Sequence, residues 1–74
     1  MIEKSLRNKS DYMIICINEF ALHNKLTKKE AYNYLKDNKA LDFLKENYEA
    51  EHTLSVQDAV DDMSIICRRN GGHL

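Results

Sequence analysis

A few groupings of residues carry side chains able to do chemistry. Glu49-x-x-His52 sets a carboxylate and an imidazole three positions apart, the spacing used in helical di-metal sites. Such a site needs a second copy of the motif and two further carboxylates, and the second copy is missing. Glu19 and His23 stand four apart with no companion ligands, so neither pair supports a metal centre. Cys16, with His23 or His52 as a base, has the elements of a nucleophile. A reactive thiolate wants an electropositive, partly exposed setting, whereas Cys16 lies among Ile14, Ile15 and Ile17, which marks it as core. Gly-x-Ser-x-Gly, Gly-rich phosphate loops and Gly-x-Gly-x-x-Gly are all absent, and the only glycines are Gly71 and Gly72. No catalytic, cofactor-binding or metal-binding residue is expected, and the chain is not read as an enzyme.

The remaining candidate is the stretch from Tyr48 to Ser55, with Tyr48, Glu49, His52 and Thr53 as possible interaction residues. Binding residues concentrate on loops held by rigid elements, and His52-Thr53 comes just before a helix start. The competing role for His52 and Thr53 is to satisfy backbone groups in the turn. Upstream, Lys25, Lys28, Lys29, Lys36 and Lys39 lie in or beside a helix–turn–helix outline, the signature of a small nucleic-acid-binding regulator. Its second helix carries Asp42 and Glu46 where a recognition helix needs donors for base edges, which disfavours nucleic acid.

The elements that must position these residues are all helical. No proline interrupts the chain, and no segment alternates apolar and polar residues between turn signals. The first helix is predicted over residues 10–24, starting near Ser10 as a cap, with Met13, Cys16, Ile17 and Phe20 on one stripe. Tyr12, Ile14 and Ile15 extend that stripe around the cylinder, which belongs in the middle of a bundle. Thr27 and Glu30 form a capping box with Leu26 stapled over Ala31, opening a second helix over residues 28–37 that closes at Asn38 in the left-handed conformation. A third helix covers residues 40–48, with Leu41, Leu44 and Tyr48 on one side. A polar, solvated acidic connection over residues 49–54 follows. Ser55 then caps a fourth helix over residues 56–70, with Val56, Ala59, Val60, Met63 and Cys67 on its apolar stripe. Leu-Thr-x-x-Glu-Ala and Leu-Ser-x-x-Asp-Ala open the second and fourth helices alike, a similarity that shared capping physics explains more simply than duplication.

At 74 residues the chain makes one domain, residues 1–74, of all-α class: a compact bundle of four helices. Hydrophobic residues are 43% and charged residues 31%, values of an ordinary globular protein and not of a disordered or membrane one. The longest apolar run, from Tyr12 to Ile17, is far short of the ~20 residues a membrane span needs. Met1-Ile2-Glu3-Lys4 lacks the features of a secretory signal, so a cytoplasmic location is expected. Cys16 and Cys67 are read as buried free thiols. Residues 1–39 hold 8 Lys/Arg against 5 Asp/Glu, and residues 40–74 hold 3 against 7, a polarity suited to orienting a partner. With so small a core and neither disulfide nor metal to reinforce it, a homodimer is expected in isolation.

The apolar run Ile14-Ile15-Cys16-Ile17, the segments from Tyr32 to Leu35 and from Leu41 to Leu44, and above all Asn47-Tyr48-Glu49 followed by His52-Thr53 resemble a family of small bacterial proteins catalogued as domain of unknown function 3791. The resemblance runs roughly from Tyr12 to Met63. The family pattern favours an apolar residue before the His-Thr pair and a glycine after the second helix, where this chain has Glu51 and Asn38-Lys39. The resemblance implies a helical accessory protein encoded beside a protein like an ADP-ribosyltransferase, and so an antitoxin-like partner. The expected function is therefore binding another protein.

Overall fold

The computed structural model describes residues 9–73, and the expectations about residues 1–8 and Leu74, including the absence of a signal segment, lie outside that range. Among the described residues five helices follow one another: α1 (Lys9–His23), α2 (Lys28–Asp37), α3 (Ala40–Glu46), the single turn α4 (Tyr48–Glu51) and α5 (Val56–Arg69). Strand is absent among the described residues, and the fold is the small all-α bundle that the helical periodicity implies.

The helix starts are set by local chemistry. At α2 the Glu30 amide donates to Thr27 Oγ1 at 3.1 Å while the Thr27 amide donates to Glu30 Oε1 at 2.8 Å, a complete capping box. At α5 the Asp58 amide donates to Ser55 Oγ at 3.1 Å, without the reciprocal bond. Ser10 lies inside the first turn of α1, not at its cap, because the helix already includes Lys9.

The helix ends share a device. Asn24, Asn38, Asn47 and Asn70 each donate Nδ2 to the carbonyl four residues back, on Phe20, Tyr34, Phe43 and Ile66, at 2.9–3.0 Å. The backbone amide of each Asn donates to the same carbonyl, so one oxygen at each of these four helix ends accepts two bonds. The left-handed residue falls one position later than expected: Asn38 has φ −102°, and it is Lys39 that takes φ 66°. Asn38 already closes the helix through its side chain, so the chain reverses at its neighbour. The same happens after Asn24 and Asn70, where Lys25 has φ 56° and Gly71 has φ 93°.

Tyr12, Cys16 and Phe20 of α1, Ala31 and Leu35 of α2, Ala40 and Leu44 of α3, and Ala59, Val60, Met63 and Cys67 of α5 form one buried cluster. The spacing of four in α1 and of three and four in α5 puts these side chains on one face of each helix. α1 packs against α2, α3 and α5, so it is the central element. It is not enclosed, however: Ile14 is 54% exposed and Leu22 75%, and both lie on the side turned away from the core. The apolar residues all round α1 thus have two destinations, a core and an open face.

Candidate functional site

The expected third helix and polar connection are rearranged. α3 stops at Glu46 because Asn47 leaves helical geometry, at φ −109° and ψ 21°. The Asn47 carbonyl then accepts from the amides of both Ala50 and Glu51, at 3.1 and 2.8 Å, and starts α4 in a new direction. This turn brings Tyr48 against the core and buries Glu51, which is only 7% exposed. The stretch is therefore not a solvated acidic connection, because its last carboxylate faces inward.

The candidate interaction residues sit together on this turn. Tyr48 packs edge-on against Tyr12, with ring centroids 5.5 Å apart, and its ring stacks on His52 at 4.6 Å. Lys9 Nζ lies 5.5 Å from the centroid of the same ring. His52 Nδ1 reaches the Tyr48 carbonyl at 2.7 Å, a contact that requires the proton on Nδ1, and Thr53 Oγ1 donates to the Ala50 carbonyl at 2.7 Å. Both side chains thus tie off carbonyls at the end of α4, while Glu49 is exposed.

Beneath the turn lies a polar pocket of the core that the residue types did not announce. The Tyr12 hydroxyl donates to the Glu51 backbone carbonyl at 2.9 Å. The Cys16 thiol lies one helical turn on and is fully buried beside it. The Glu51 carboxyl has that of Asp62, on α5, as a neighbour, and its Oε1 is buried with no hydrogen-bond partner. Burial, with Asp62 beside it, pushes this carboxyl up to about 7 from the usual 4.5. Burial likewise pushes the Tyr12 phenol upward and the Cys16 thiol up to about 11.

The other chemical groupings stay apart. Glu19 Oε2 and His23 Nε2 approach at 3.2 Å on the partly exposed edge of α1. Among the described residues no cluster of His, Cys, Asp and Glu has the makings of a metal site. Cys16 and Cys67 are buried free thiols, and burial pushes Cys67 up to about 11 as well. A cleft of about 60 Å³, lined by Phe20, Asn24, Tyr34, Ser64 and Arg68, opens between α1, α2 and α5. No described helix is long and apolar enough to cross a membrane.

The helical order, with the Tyr48 to Thr53 turn between α3 and α5, coincides with a family match. Residues 11–70 match the family described as "Protein of unknown function (DUF3791)". The chain belongs to that family. The DUF3791 match takes in α1 through α5 and so includes the Tyr12, Glu51 and Asp62 cluster as well as the open face of α1. No curated protein and no solved structure matches the chain.

Proposed function

We propose that this DUF3791 chain is a non-enzymatic protein-interaction module whose open α1 face receives an amphipathic helix of another protein. The observation that carries this reading is the exposure of Ile14 and Leu22. Together with half-buried Ile15 and Asn18 they fall within an arc of about 100° on α1, opposite the buried Tyr12, Cys16 and Phe20. Covering a large aliphatic side chain fully is worth ~1.5–3 kcal/mol, so Ile14 and Leu22 would supply the apolar anchors of such a contact and further contacts the rest. Exposed Lys25, Lys28 and Lys29 follow α1 in the chain and favour carboxylates on the incoming helix. A nucleic-acid-binding regulator would need those lysines on a surface without acids, and Glu30 is exposed in the same turn.

The family resemblance supports a specific occupant, a protein like an ADP-ribosyltransferase, which this chain would neutralise in the manner of an antitoxin. The test is co-purification of the two proteins, with Ile14→Asp/Leu22→Glu as the variant. Loss of the complex with unchanged helical content and unfolding midpoint supports the α1 face as the contact. A complex as tight as that of the native chain overturns it. Sedimentation of the chain alone reads whether a second copy covers the face when the partner is missing.

A further inference from the structure

We propose that the outer faces of α2 and α5 bind each other between copies of this chain, the basic face of one copy seating the acidic face of the next. On α2, Lys28, Lys29, Tyr32 and Lys36 fall within an arc of about 100°, and all four are exposed. The acids of this helix, Glu30 and Asp37, lie beyond that arc, and Glu30 is held by the Thr27 amide. Tyr32 is 46% exposed, with Lys36 Nζ 5.9 Å from its ring centroid, so an apolar surface is set among ammonium groups. On α5, Ile65 stands opposite the buried Ala59, Val60, Met63 and Cys67 and is 40% exposed. Asp58 and Asp61, both exposed, share an arc of about 60° with it, and half-buried Asp62 borders them. The cations of α5, Arg68 and Arg69, are confined to its last turn. Each face is thus an exposed apolar side chain among charges of one sign, and the two signs are opposite.

The lysines are kept where they cost stability. Lys28 and Lys29 stand in the first turn of α2, where the helix dipole disfavours positive charge. Lys25 and Lys39, on either side of α2, are exposed and hold left-handed backbone at φ 56° and 66°, a conformation that glycine takes more readily. Carboxylates from a neighbouring copy relieve the charge at the start of α2. The two faces differ, so the contact is heterologous: each added copy leaves one α2 face and one α5 face open at the ends. Exposed ion pairs and two half-exposed apolar side chains give a weak association that salt screens. It needs neither Ile14 nor Leu22, and so it is independent of the contact placed on α1.

Sedimentation of the full chain over a concentration series, with amide NMR spectra recorded on dilution, tests this contact. The mean mass is expected to rise with concentration. Salt at about 1 M, where the Debye length is ~3 Å, should lower the association constant several-fold. Dilution should shift the amides of residues 28–36 and 58–65. Lys29→Glu/Lys36→Glu and Asp58→Lys/Asp61→Lys should each be monomeric alone and associate when mixed, because the mixture restores opposite signs across the contact. Ile14→Asp/Leu22→Glu should leave the association intact, which separates this contact from the one on α1. A chain that stays monomeric at millimolar concentration overturns the proposal and leaves both faces to other proteins. So do dilution shifts centred on Ile14 and Leu22, or a mixture that stays monomeric while both variants keep the native unfolding midpoint. The dilution spectra need no variant, so the test stands even where a charge reversal prevents folding.

Discussion

Tyr12 and Glu51 are 39 residues apart in sequence, yet the phenol of one donates to the backbone carbonyl of the other at 2.9 Å inside the core. This bond pins the single turn α4 to α1. Tyr12→Phe keeps the ring and its contact with Tyr48 but leaves the Glu51 carbonyl with the Leu54 amide alone, which should cost ~0.5–1.5 kcal/mol. Urea denaturation measures the loss, and amide exchange should place it first at residues 50–54.

The two capped helix starts should differ in worth. Thr27→Ala removes the acceptor of the Glu30 amide and loosens, without deleting, the reciprocal bond from the residue-27 amide to Glu30 Oε1, whereas Ser55→Ala removes a single bond. Both should fall within ~0.5–2 kcal/mol, with Thr27 the larger. Equal or negligible shifts in the urea midpoint would show that the reciprocal bond adds nothing.

Lys25 and Lys39 occupy left-handed backbone, at φ 56° and 66°, a conformation that costs an L-residue ~1–2 kcal/mol and glycine nothing. Against this stands the greater entropy glycine loses on folding, ~0.5–1 kcal/mol. Lys39→Gly should therefore stabilise by up to ~1 kcal/mol, and Asn38→Ala should destabilise by removing the second of the two bonds that the Tyr34 carbonyl accepts. Thermal unfolding of the two variants checks both signs.

Stability should fall as pH rises through the acid-to-neutral range. Below about pH 4.5 Glu51 is protonated folded and unfolded, so it contributes no slope. Between 4.5 and about 7 the unfolded chain releases the proton while the fold retains it, which favours unfolding. At ~1.4 kcal/mol per unit of displacement, the penalty reaches ~3 kcal/mol above neutrality. Urea unfolding at pH 5 and pH 8 measures it, and Glu51→Gln should abolish this part of the difference.

Cys16 and Cys67 should react slowly with thiol reagents at pH 7, since burial and a pKa near 11 each suppress the thiolate. A rate more than ~100-fold below that of an ordinary thiol with pKa near 8.5 is expected. Unfolding in denaturant should restore the ordinary rate for both.

What the residues reveal in advance depends on how far apart the partners lie. The capping box of α2 is legible because Thr27 and Glu30 contain all of it within four positions. The α5 stripe is legible because Val60, Met63 and Cys67 repeat at helical spacing and all three are buried. Glu51 is opaque: a lone acid next to His52 and Thr53 reads as surface, and its burial rests on Asp62 and on Tyr12 from distant parts of the chain. The open side of α1 is opaque for the same reason, since Ile14 and Cys16 are alike in type and only the packing of α2, α3 and α5 decides which is covered. The Asn at four helix ends is a local signal, since each side chain bonds a carbonyl only four residues back.

That recurrence also bears on how the chain ages. Asn70 is followed by Gly71, the pair whose backbone amide most readily attacks the side-chain carbonyl, expelling ammonia and leaving aspartate or its isomer. In the folded chain the Asn70 amide is held on the Ile66 carbonyl and the Gly71 N–H on that of Arg68, so attacker and target are both engaged. Fraying of the α5 end would release them together. The product carboxylate could no longer donate to Ile66 and would meet the negative end of the helix dipole, so the damage would keep the end from closing again. The bond that finishes the last helix thus also sets the shelf life of its own terminus.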